Sequence, residues 1–61
     1  MTVEDIKGKK IMVVGLSKTG VSMTKFLVEH GGEVTISDHK SAAELADSLE
    51  QIESLNIHYD L

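Results

Sequence analysis

Two short stretches of the 61-residue chain carry residue types and spacings suited to chemistry: Gly15-Leu16-Ser17-Lys18-Thr19-Gly20 and Asp38-His39-Lys40. The first lies between an apolar run and an amphipathic one, where a strand would hand over to a helix. At such a junction the first-turn amides have no intrahelical acceptors and the helix dipole presents its positive end, so the loop suits an anion. Gly15 permits the tight turn and Gly20 permits close helix–sheet approach. A P-loop would need Gly-x4-Gly-Lys-Ser/Thr, and Val21 stands at the lysine position, which disfavours a nucleoside triphosphatase. A dinucleotide fingerprint would need Gly-x-Gly-x-x-Gly, and its middle position holds Ser17, small enough to weaken that reading without abolishing it.

Asp38 follows the next β-rich run at about the distance, roughly 20 residues past the glycine loop, where a dinucleotide fold places its ribose-binding acid. Its carboxylate could accept two hydroxyls or an imide N–H, and Lys40 could neutralise a phosphate. Ligands of open α/β sheets bind at the carboxyl ends of strands, so both stretches belong on one rim. His30, His39 and His58 are too irregularly spaced to suggest a metal site, and no nucleophile–base pattern is visible. The chain is therefore expected to bind rather than to react.

The elements that would position this rim are legible in the apolar pattern. Residues 10–15 end a continuous apolar run, Ile11 to Val14, and read as a strand buried on both faces. Gly20, Thr24, Leu27, Val28 and Gly31 recur at helical spacing, with Met23 and Phe26 widening the stripe, and Gly31-Gly32 supplies a left-handed stop. Met12 and Met23 read as core filler. Residues 33–37 alternate and are β-branched, giving a second strand. Ser41-Ala42-Ala43-Glu44 is a capping box that would open a second helix, buried along Leu45, Leu49 and Ile52 and wet along Asp47, Glu50 and Glu53. Asn56 would stop it, and residues 57–61 alternate as a third strand. The order β-α-β-α-β predicts a parallel sheet in an α/β protein with right-handed crossovers. It amounts to about half of a doubly wound domain, so the ending at Leu61 reads as truncation.

Composition agrees. Below about 70–80 residues a core rarely suffices without disulfides, metal or a partner, and the chain has no Cys. No apolar run approaches the ~20 residues of a membrane span, and the polar, acidic start is unlike a secretory signal, so a cytoplasmic protein is expected. A sequence pI near 5.1, no Arg and two aromatic residues argue against a nucleic-acid surface. Residues 1–40 hold all six Lys against five acids, whereas residues 41–61 hold five acids and no Lys. An anionic ligand therefore belongs on the first forty residues.

The run Ile6-Lys7-Gly8-Lys9-Lys10-Ile11-Met12-Val13-Val14-Gly15-Leu16-Ser17-Lys18-Thr19-Gly20, with Lys25-Phe26-Leu27 and Gly31-Gly32-Glu33-Val34-Thr35-Ile36-Ser37-Asp38, resembles the N-terminus of the MurD ligases. That resemblance implies a Rossmann-like N-terminal domain, here residues 1–61 and incomplete, that holds the uridine diphosphate part of UDP-N-acetylmuramoyl-L-alanine. It implies that Ser17, Lys18, Thr19 and Gly20 contact the nucleotide and that Asp38, His39 and Lys40 form the uracil rim. The family usually has Gly at the position of Ser17, and often Thr or Ser at that of His39; Lys40 fits its basic residue. The full-length enzyme would be monomeric and would activate the substrate carboxylate as an acyl phosphate, which the amine of D-glutamate then attacks. The ATP loop, carbamylated lysine and Mg ligands of that chemistry belong to a central domain, so no cofactor and no catalytic residue is expected on this chain. From the residues alone, an NAD(P)-binding domain of a dehydrogenase or a nucleotide-sensing module stays open. Asp38 favours it, Ser17 opposes it, and Lys40 would then suggest a phosphorylated ribose.

Overall fold

The computed structural model describes residues 3–61. Elements follow in the order α1 (Val3–Ile6), β1 (Lys10–Val14), α2 (Lys18–Glu29), β2 (Glu33–Ser37), α3 (Ala46–Ile52) and β3 (His58–Asp60). The strands form one parallel sheet ordered β1-β2-β3, with Lys10 beside Glu33 and Thr35 beside His58 in the two ladders. This is the expected α/β arrangement, a small Rossmann-like β-α-β-α-β unit, preceded by one short helical turn, α1, that the sequence pattern did not indicate. Among the described residues no helix is long and apolar enough to cross a membrane.

The core lies between one face of the sheet and α2 and α3. Val13, Val34 and Ile36 meet Val21, Leu27 and Ile52 there, with Ile6 closing one end and Leu16 and Leu45 the other. Val34, Ile36 and Ile52 are fully buried, as is Thr24, whose hydroxyl has no hydrogen-bond partner. The opposite face of β1 is open: Met12 is 56% and Val14 79% exposed. The expectation of a strand buried on both faces is therefore corrected. Right-handed crossovers along strands laid down in the order 1-2-3 carry both helices to the same side, and the run from Ile11 to Val14 is apolar without being covered twice. Met12 and Met23 are accordingly not core filler. Met23 and Phe26 lie on the wet side of α2, where Phe26 meets the His30 ring edge-on at 4.5 Å.

Helix boundaries follow local hydrogen bonding. α2 ends in a Schellman motif: the amide of Gly32 donates to the Leu27 carbonyl (2.8 Å) and that of Gly31 to the Val28 carbonyl (3.0 Å), with Gly31 at φ 86°. Half of the expected capping box forms: Ser41 Oγ accepts from the Glu44 amide at 3.3 Å, but the Glu44 carboxylate takes the Ser41 hydroxyl, also at 3.3 Å, in place of the cap amide. It closes a turn of its own, and the regular helix starts four residues later than expected, at Ala46 in place of Ala42. Leu45, at φ −97° and ψ 8°, sits in the bridge region and interrupts the ladder there. α3 also stops at Ile52, short of Asn56, and its wet row of Asp47, Glu50 and Glu53 is exposed as expected.

β1 ends at Val14 because Gly15 turns the chain at φ 92° while its amide still donates to the Ser37 carbonyl at 2.8 Å. α2 then returns so closely that a β-carbon on Gly20 would collide with the Gly15 carbonyl oxygen. Gly20→Ala should therefore push α2 off the strand end and destabilise the chain by roughly 1–3 kcal/mol. Urea unfolding followed by far-UV circular dichroism checks this, and a variant as stable as the parent would contradict the close packing.

Candidate functional site

The carboxyl ends of β1 and β2 and the turns that follow them enclose a cleft of about 530 Å³, walled by residues 14–17, residues 37–40 and Leu45. The two stretches singled out by residue type thus share one rim. Its floor mixes apolar surface from Val14 and Leu45 with polar groups from Ser17, Ser37 and the 38–40 segment.

On the first side, α2 begins earlier than the sequence suggested, and Ser17 is its N-cap: Ser17 Oγ accepts from the Gly20 amide at 3.3 Å. Lys18, Thr19 and Gly20 form the first helical turn rather than a loop, and stand just outside the cleft wall. Lys18 is exposed at the positive end of the helix, with no acidic residue in that turn to offset it. A cation there is unfavourable for the helix by itself and favourable for an anion brought to it.

On the second side, Asp38 turns inward. Its side chain is only 6% exposed. Oδ2 accepts the Leu16 amide at 2.8 Å, and Oδ1 accepts the Lys40 amide at 2.9 Å. These two bonds, the Leu16 one foremost, hold the carboxyl below its usual range against the opposing effect of burial; His39, with Nδ1 3.5 Å from Oδ1, and Lys40 add to the lowering when charged. His39 and Lys40 point outward, the His39 side chain being 92% exposed. The groups that can reach into the cleft are therefore different in kind: cationic or ionisable tips at its mouth and an anion fixed in its wall.

The contribution of Leu16 escaped the residue-type reading because it is a backbone amide, identical for every residue but proline. Val14, Ser37 and Leu45 likewise line the cleft by position alone. The residues present do not fit an ATP–Mg site. Val21 replaces the P-loop lysine, and among the described residues no group of three or more His, Asp or Glu could hold a metal ion.

A parallel α/β unit with a glycine turn, a helix N-terminus and an inward acid at adjacent strand ends belongs to the class of Rossmann-like α/β folds. The family model described as Mur ligase MurD-like, N-terminal domain, matches residues 9–60, and the chain belongs to that family. It is similar to the UDP-N-acetylmuramoylalanine--D-glutamate ligases of Bdellovibrio bacteriovorus (54% identical over 57 residues) and Geotalea daltonii (51% over 57 residues), each alignment covering 93% of this chain. The corresponding ligase of Clostridioides difficile is 40% identical over 52 residues, 85% of the chain. The chain spans 12–13% of the length of these relatives. No solved structure matches it.

The depressed carboxyl gives a pH dependence of definite sign. A folded-state pKa below the unfolded value adds stability that is fully present above the ordinary Asp value of about 3.9 and is lost as the pH falls through the folded value. Chemical denaturation from pH 6 downward should show stability falling in that acid window, with a shallower slope for Asp38→Asn. Identical slopes would show that the carboxylate is not selectively stabilised in the folded chain.

Proposed function

We propose that the chain is the substrate-binding N-terminal part of an ATP-dependent ligase that joins D-glutamate to UDP-N-acetylmuramoyl-L-alanine in cytoplasmic peptidoglycan synthesis. The observation that carries this reading is the family match over residues 9–60, a range that includes both walls of the cleft, residues 14–17 and 37–40. UDP-N-acetylmuramoylalanine--D-glutamate ligases are among its relatives.

In this reading the cleft takes the uridine diphosphate end of the substrate. The apolar surface of Val14 and Leu45 suits the flat face of a base. Ser17, Lys18, Thr19 and Gly20 face the diphosphate through the helix N-terminus and the lysine charge, while the 38–40 segment borders the uracil, with His39 and Lys40 free to reach it. The chain binds and orients; phosphoryl transfer, Mg coordination and amide formation belong to other parts of a monomeric ligase. Neither nucleic acid nor membrane insertion has a role in it.

The NAD(P) reading is less well supported. A dinucleotide site uses its acid on the ribose diol, whereas the Asp38 oxygens each already accept a backbone amide, and Ser17 occupies the middle glycine position. In a heteronuclear NMR titration UDP should shift the amides of residues 16–20 and 38–40, and NADH should shift them weakly or not at all. Tight NADH binding with no response to UDP would reverse the assignment.

A further inference from the structure

We propose that Asp38 is a positioning residue, whose carboxylate latches the turn after β1 to the turn after β2 and so sets the shape of the cleft, without itself bonding the ligand. The identity of that ligand as a uridine diphosphate compound rests on the reading above; the latch itself does not.

The geometry is that of a ladder continued by a side chain. The last backbone rung between β1 and β2 is the Gly15 amide donating to the Ser37 carbonyl at 2.8 Å. Alternate residues of β1 face β2, so the next rung in register would fall to residue 17; the turn at Gly15, φ 92°, instead swings the Leu16 amide toward the end of β2, beyond the last ladder carbonyl. Asp38 Oδ2 accepts it there at 2.8 Å. Its other oxygen accepts the Lys40 amide and thereby shapes its own turn. One carboxylate thus satisfies two backbone donors that belong to opposite walls of the cleft. Leu16 is well placed to pass on this constraint. Its side chain is 3% exposed, seated in the core, so fixing its amide fixes both the path of the chain into Ser17 and the start of α2. Both oxygens are already engaged by backbone donors, and the side chain is only 6% exposed.

Two measurements test this. The first uses the ligand-free chain and amide hydrogen exchange. In Asp38→Ala the Leu16 and Lys40 amides should both exchange faster, by on the order of tenfold. In Asp38→Asn, which keeps one acceptor oxygen, at least one of the two should do so. The Val34 and Ile36 amides serve as the control for folding, and the Asn variant decides the matter if the Ala variant unfolds. Unchanged exchange at Leu16 and Lys40 in a folded variant overturns the latch.

The second compares the affinities of UDP, 2′-deoxy-UDP and N3-methyl-UDP for the parent and for Asp38→Asn. A positioning residue lowers all three by the same factor, about tenfold. A penalty that vanishes for the 2′-deoxy or the N3-methyl compound means direct contact with the missing group and overturns the proposal. If the parent binds none of the three, the uridine diphosphate reading fails, and the exchange measurement alone decides the latch.

Discussion

A β-carbon has no room between the end of β1 and the first turn of α2, because Gly20 lies against the Gly15 carbonyl oxygen. Much of the molecule is arranged around that approach. It brings Val21 and Leu27 down onto Val13 and Ile36, and so seals the core of a chain with little core to spare. It also sets the positive end of α2 at the rim where β1 and β2 finish. The same steric condition that packs the helix therefore creates the anion-favouring edge, and the geometry of the rim and stability are coupled through one contact. A larger residue at position 20 would disturb both.

The polar side of this arrangement is economical. At the strand ends each backbone donor finds an acceptor of a different kind: the Gly15 amide a main-chain carbonyl, the Leu16 amide a carboxylate, the Gly20 amide the Ser17 hydroxyl. Because a buried unsatisfied amide costs more than a typical hydrogen bond contributes, these pairings specify the turn as strongly as any apolar contact. The exposed residues of the rim, Lys18, His39 and Lys40, are left without such duties and can serve a ligand.

Much of this could be read from the chain alone. The glycine pair at 15 and 20, the double glycine at 31 and 32 and the alternating run 33–37 each impose a local conformation that tertiary packing did not override. The residues at the rim were identifiable for the same reason, since the acid and the glycine turn are fixed by position relative to their strands. What could not be read falls into two kinds. Coverage of a strand depends on how many layers surround it, and an apolar run such as Ile11 to Val14 looks the same whether one face or two are covered, which is why Met12 and Val14 were misplaced. Partners that are backbone groups carry no letter: Leu16 gave no sign that its amide would hold Asp38, so the inward turn of that acid was invisible. The start of α3 has a mixed cause, since Ser41 and Glu44 make only half of the capping box and the backbone at Leu45 leaves helical geometry.

Both ladders are parallel, and both join residues equally far apart along the chain, Lys10 to Glu33 and Thr35 to His58. Among the described residues no tight hairpin starts the sheet. Each pairing must close a long loop before any rung rewards it. Helix formation in the crossover shortens the loop that must close, so a formed α2 lowers the entropic cost of pairing β1 with β2. The turn that carries the site is among the parts whose final shape depends on that pairing, because Leu16 and Asp38 meet only when the first crossover is complete.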